Sequence, residues 1–180
     1  MKEGHKVGVI GMGGLGHMGV KFAKAMGAEV TLFTRSESKV KEAKKQGADH
    51  VVISTDPEQM EAVAETFDFM LDTVPVQHDL NPYLNCLKFD GTHILVGLLE
   101  PVDPALQAGQ LVMKRRVLAG SLIGGMPETQ EMLDFCGEHG IHCDVEMLDI
   151  KNINEAFERM KKGDVKYRFV IDMDTLKQSA

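Results

Sequence analysis

KVGVIGMGGLGHMGVKFAKAMGAEVTLFTRSES, residues 6–38, decides how this 180-residue chain is read. Residues 7–10 make a short apolar strand, and Gly11, Gly13 and Gly16 follow at once. Over residues 17–26, Met18, Phe22, Ala25 and Met26 fall on one face, with Lys21 and Lys24 outside it. That spacing predicts an amphipathic helix, and Gly27 supplies its stop. Residues 30–33 form a second strand that runs into Thr34, Arg35 and Ser36. A bare G-x-G-x-x-G means little. Between a strand and a helix, with a second strand at the right distance, it specifies a dinucleotide site. Gly11 permits the tight turn, Gly13 lets the backbone approach a diphosphate, and Gly16 lets helix and strand pack closely. Beyond Gly14 and Leu15 the helix start offers unpaired N–H groups and a positive dipole end to phosphate oxygens.

The tip of the second strand selects the dinucleotide. An NAD site carries an acid there, about 20 residues past the glycines, to bind the ribose 2′-hydroxyl. Here the strand ends in Thr34-Arg35-Ser36, and the first acid, Glu37, falls in the turn that follows. A guanidinium meets a 2′-phosphate with charge-assisted, bidentate hydrogen bonds. Thr34 and Ser36 add hydroxyls, Lys39 adds charge, and a carboxylate in that place would repel the phosphate. The reading is NADP(H) over NAD(H).

Further along, strands are expected at residues 51–53, 67–71, 93–97 and 117–123, and helices at 36–46, 57–66 and 80–87. Apolar strands alternating with helices imply parallel strands covered on both faces. The fold class is therefore α/β: a doubly wound, parallel, six-stranded sheet of the Rossmann type. After it come a helix (127–139), an extended stretch (141–148), a helix (153–162) and a strand (166–172). A boundary is expected after residue 126, with 1–126 as the nucleotide-binding domain and 127–180 as a further segment. Ligands of such sheets bind at the carboxyl ends of the strands. Thr73, Gly97, Ser121, Leu122 and Ile123 thus become candidates for the nicotinamide side.

The formal net charge of −7 argues against nucleic acid or an anionic membrane as the partner. No run reaches the ~20 apolar residues of a membrane span, and MKEGHK does not read as a signal peptide. Cys86, Cys136 and Cys143 form no C-x-x-C pair and are expected as free thiols, which fits a reducing, cytoplasmic setting. The seven histidines show no H-x-x-x-H spacing, and no Tyr-x-x-x-Lys or G-x-S-x-G is present. His17, at the helix start, is read either as a donor to phosphate or as a helix-surface residue. The residues present a cofactor grip without catalytic or metal-binding machinery.

Four stretches carry a resemblance: GVIGMGGLGHMGVKFAKAMGAEVTLFTRS (8–36), DFMLDTV (68–74), VLAGSLIGGMPETQEMLDFCGEHGI (117–141) and INEAFERMKKGDVKYRFVIDM (153–173). Together they resemble the zinc-containing, medium-chain alcohol dehydrogenases, most closely the cinnamyl-alcohol-dehydrogenase-like branch. The resemblance implies NADP(H)-dependent interconversion of alcohols and aldehydes. It implies cofactor contacts at Gly11, Gly13, Gly14, Leu15, Gly16, Thr34, Arg35, Ser36, Lys39, Thr73, Gly97 and Ser121 to Ile123. Arg35 departs from the small hydroxyl residues frequent at its place, but its charge suits a phosphate. The family's catalytic zinc ligands and its four-cysteine zinc site belong to an N-terminal catalytic domain that this sequence does not contain, so zinc is implied only there. Residues 127–180 would be the return to that domain. The expectation is a fragment that binds NADP(H) but is inactive alone. A homodimer through the sixth-strand edge or the exposed C-terminal segment is also expected. A stand-alone NADPH-binding module that docks on a separate catalytic partner is the alternative reading. A methyltransferase is disfavoured by Arg35, which stands where that class carries an acid.

Overall fold

In the computed structural model, which describes residues 1–98 and 100–178, six parallel strands form one sheet. They are β1 (Lys6–Ile10), β2 (Glu29–Thr34), β3 (His50–Ile53), β4 (Phe67–Asp72), β5 (Leu87–Leu95) and β6 (Val117–Gly120), in the order β3-β2-β1-β4-β5-β6. The chain therefore builds outward from β1 to β3, returns, and builds the other way from β4. The doubly wound reading holds. β1 lies at the centre, with Ile10 in register with Phe33 on one side and Asp72 on the other. Its Val7, Val9 and Ile10, like Val30, Leu32 and Phe33 of β2, are at most 1% exposed. Such all-apolar runs belong to strands covered on both faces. The reversal of strand order between β1 and β4 opens a crevice at their carboxyl ends.

The helices differ in detail from their periodicity. α1 (Gly14–Ala25) starts directly after the glycine turn, and it buries Gly16, His17, Gly19, Val20 and Ala23 rather than the Met18–Phe22–Met26 face. The reason is closeness. A Cβ on Gly19 would come within 2.8 Å of Leu71 Cδ2, so the helix face against the sheet must be small. Phe22 instead sits 6.0 Å, ring to ring, from Phe135 of α6 (Met126–His139). The helix expected over 36–46 is a 3₁₀ turn (Glu37–Lys39) followed by α2 (Val40–Lys45). Ser36 stands before that turn without capping it; its hydroxyl pairs with Ser38 Oγ at 2.7 Å. α3 (Pro57–Ala62) is capped as its sequence predicts, with Asp56 accepting from the N–H groups of Glu58 and Gln59. α4 (Asn81–Asn85) and α5 (Ala108–Val112) are short. β5 begins six residues before the expected 93, at Leu87, and its register against β4 shifts near Asp90 and Gly91, a bulge that masked it as a turn. β6 stops at Gly120, short of the expected 123.

The three cysteines are free. Burial pushes the Cys86 thiol up to about 12. It should therefore resist alkylation at pH 8 in the folded chain and react within seconds to minutes once urea unfolds it, as mass spectrometry with iodoacetamide would show.

The chain divides into two compact units, Met1–Ile141 and His142–Ala180. α6 lies in the first, whereas the sequence boundary after 126 put it in the second. In the second unit, β7 (Val145–Asp149) and β8 (Arg168–Asp172) pair in parallel, joined through α7 (Ile153–Lys161), with α8 (Asp174–Gln178) at the end. Arg159 ties it together, 2.8 Å from Glu146 and 3.0 Å from Asp164, with its guanidinium over the Phe169 ring.

Candidate functional site

The crevice is built by the glycine turn. Gly11 leaves β1 at φ +89, a backbone state that suits glycine, and its N–H donates to the Phe33 carbonyl at 3.0 Å. Thr73, just beyond β4, closes the other side: its N–H and its hydroxyl both donate to the Ile10 carbonyl, at 3.0 and 2.8 Å. A Cβ on Gly16 would run into the Gly11 carbonyl oxygen, so Gly16 is required by the protein's own packing. Gly13 is different. A Cβ there would meet nothing within 4 Å. Its φ of −122 and ψ of −157 are extended, open to other residues. No protein packing explains the missing side chain, and the space it leaves belongs to the crevice. α1 starts at this point with no side-chain cap and no acid in its first turn, so its leading N–H groups and positive dipole end are unanswered from within its own first turn. His17, read as a surface residue or phosphate donor, is fully buried, and its Nδ1 lies 3.1 Å from the Gly13 carbonyl. It holds the turn from beneath.

A cavity of about 600 Å³ runs from Gly11 and Gly13 to the tip of β2, where Thr34, Arg35, Ser36 and Lys39 line it. Arg35 and Lys39 are exposed, and Thr34 is buried with Oγ1 accepting from the Ser36 N–H at 3.3 Å. Opposite stand Thr73, Val74, His78 and Tyr83. Two cationic side chains at one end and uncapped helix N–H groups near the other suit a ligand with two separated anionic groups.

Beneath the β4 side lies a carboxylate. Asp72 is fully buried; it accepts from the Val74 N–H at 3.1 Å, from His78 Nε2 at 2.9 Å and from His93 Nε2 at 3.2 Å. Burial alone would raise its pKa, but the two histidine hydrogen bonds outweigh it and bring the carboxyl down to about 2. Asp72 holds His78 above the ordinary histidine range, and burial opposes this only in part. Because Asp72 titrates below its unfolded value of about 3.9, it stabilises the fold fully above that pH. The contribution, on the order of 2 kcal/mol, is lost as pH falls toward 2. Asp72→Asn sets amide hydrogens against imidazole N–H groups and should cost on the order of 3 kcal/mol. Urea denaturation at pH 7 measures that loss, and a parent-minus-variant difference that shrinks between pH 4 and pH 2 confirms its origin.

A family model for zinc-binding dehydrogenases matches residues 14–138, from the first residue of α1 almost to the end of α6. The chain belongs to the zinc-binding dehydrogenase family. Among similar proteins, aldehyde reductase YahK of Escherichia coli (strain K12) is 57% identical over 173 residues, 96% of this chain and 50% of that protein. A cinnamyl alcohol dehydrogenase from Sorghum bicolor superposes with a TM-score of 0.91 at 42% identity, covering 96% of this chain and 49% of that one. A Helicobacter pylori cinnamyl alcohol dehydrogenase, solved in complex with NADP(H), gives 0.83 at 41% identity, covering 96% and 49%. This chain thus spans about half the length of the relatives it matches.

Of the residues singled out in the sequence, the structure gathers Gly11, Gly13, Thr34, Arg35, Ser36, Lys39 and Thr73 around the one cavity. Gly14, Leu15 and Gly16 form the first turn of α1 beside it. Gly97 lies past the end of β5, so close to Thr73 that a Cβ would sit 2.7 Å from the Thr73 carbonyl. Ser121, Leu122 and Ile123 follow β6 as an exposed stretch, with the Ser121 N–H donating to the Leu95 carbonyl at 3.0 Å; they do not line this cavity. The sequence reading missed Ser54, His78 and Tyr83, which do. The signal for His78 was its place six residues past the acid that ends β4. Among the described residues, no group of three His, Cys, Asp or Glu side chains is placed to hold a metal ion, and no helix is long and apolar enough to cross a membrane.

Proposed function

We propose that this chain is the NADP(H)-binding part of a zinc-type alcohol dehydrogenase. The bound nicotinamide would supply or accept the hydride in alcohol–aldehyde interconversion. Gly13 and the start of α1, with Gly14, Leu15 and Gly16, take the diphosphate. Arg35, Ser36 and Lys39 take the 2′-phosphate, with Thr34 ordering the Ser36 backbone. Thr73, Gly97 and Ser121 to Ile123 face the nicotinamide side. Zinc is assigned to residues outside this chain, and residues 127–180 to part of the catalytic domain. The observation that carries the reading is the open side of Gly13, a cradle that a Cβ would fill and that the protein itself does not use. The relative complexed with NADP(H) supports it. A homodimer through β6 belongs to the same reading, since β6 is an edge strand flanked by Leu122 and Ile123, 79% and 89% exposed. So does a reducing, cytoplasmic setting, supported by three free thiols.

Calorimetric titration tests the reading. NADPH should bind at least about tenfold more tightly than NADH, a difference of ~1.4 kcal/mol. The chain alone, with zinc added, should reduce no aldehyde. Equal affinity for the two dinucleotides would refute the role of Arg35, and turnover would refute the assignment of the catalytic zinc to other residues.

A further inference from the structure

His78 is committed on both nitrogens. Nδ1 lies 2.8 Å from the Val76 carbonyl, and Nε2 lies 2.9 Å from Asp72 Oδ2. Both partners only accept, so satisfying both contacts at once requires a proton on each ring nitrogen, the imidazolium form. The ring lines the cavity with Gly13, Arg35 and Lys39, and packs edge-to-face with Tyr83 at 6.0 Å. With its N–H groups spent on the protein, it offers a ligand charge and ring surface, not a hydrogen bond.

The charges around it set the consequence. Asp72 is fully buried and ionised directly beneath the ring, and Asp79 adds a second negative charge from the following loop. From β5, His93 donates to the same Asp72 oxygen, while its own Nδ1 is buried without a partner among the described residues. Tyr83 faces the ring from α4, and burial pushes its phenol up, away from ionisation. Arg35 and Lys39 stand elsewhere on the cavity wall. Protonated, His78 offsets Asp72. Deprotonated, it leaves an unbalanced carboxylate under a cavity that takes anions.

We propose that His78 is an affinity-determining residue of the dinucleotide site, an imidazolium that cancels the buried Asp72 charge and makes binding of the polyanionic ligand weaken as pH rises. The inference rests on the dinucleotide reading above. The raised pKa of His78 in the folded chain agrees with the geometry. By linkage, an anionic ligand that binds better to the protonated ring must draw a proton in as it binds. The 2′-phosphate acts with the opposite sign, because its pairing with arginine favours the dianion and releases a proton.

The test is calorimetric titration of the full chain with NADPH and with NADH from pH 6.5 to 9, in buffers of different ionisation enthalpy. Net proton uptake above pH 7 is expected with NADH, which has no 2′-phosphate. The Kd for NADH should rise at least about threefold across the range, and that for NADPH by less, because its 2′-phosphate works the other way. His78→Gln should remove both the uptake and the pH step. Intact binding with no proton uptake, or a step that persists in a folded His78→Gln chain, overturns the role of His78 and leaves the dinucleotide reading standing. Failure of both ligands to bind at any pH overturns both. Should His78→Gln not fold, the proton count of the parent chain decides alone.

Discussion

Gly13→Thr should leave the stability of the chain within about 0.5 kcal/mol of the parent while weakening NADPH binding at least about 100-fold, or ~2.7 kcal/mol. The backbone at Gly13 is extended and tolerates a β-branched residue, and its Cβ would meet no protein atom within 4 Å. Gly13 is also the N-cap of α1, a position where threonine serves about as well as glycine. Folding therefore has no reason to suffer, whereas the added side chain fills the cradle. Gly16→Ala is the counterpart. Its new methyl collides with the Gly11 carbonyl, a backbone atom that cannot swing away. A loss on the order of 2–3 kcal/mol of stability is expected there, the scale of overpacking in a filled interior. Urea denaturation and NADPH titration of both variants would separate a glycine kept for the fold from one kept for the ligand. If Gly13→Thr binds as well as the parent, the open space is not the ligand's.

Arg35→Asp should reverse the dinucleotide preference. Arg35 is exposed at the tip of β2, so its replacement should move stability by less than about 0.5 kcal/mol. For NADPH the change replaces a charge-assisted pair with repulsion, and a loss of at least about 100-fold is expected. For NADH the new carboxylate supplies the acceptor that a ribose 2′-hydroxyl uses at this strand end, so its affinity should hold or improve. Competition titrations against a fixed fluorescent dinucleotide would give both affinities. A parallel fall for NADPH and NADH would place Arg35 at the diphosphate, not the ribose.

The sheet was legible because its strands are apolar and bounded by glycines and short polar turns, and local pattern determines such segments. That the glycine turn and the Arg35 tip line one cavity was legible for the same reason: these residues lie within one βαβ unit. The packed face of α1 was not. Gly16, Gly19 and Ala23 carry no hydrophobic signal, and only the closeness of the sheet makes them the buried side. The early part of β5 hid behind the bulge at Asp90–Gly91, whose composition reads as a turn. Asp72, His78 and His93 were out of reach for another reason. Their association depends on β4 lying beside β5 and on the path of the loop after Asp72, and neither is encoded by spacing along the chain. His17 was read by its place at a helix start, but the turn it supports covers it.

The most direct measurement is a crystal of the chain grown or soaked with NADPH. The diphosphate should lie over the open side of Gly13 against the first turn of α1, with the 2′-phosphate about 3 Å from the Arg35 guanidinium. A cavity empty at saturating NADPH, or a dinucleotide bound with its diphosphate away from Gly13, would contradict the account.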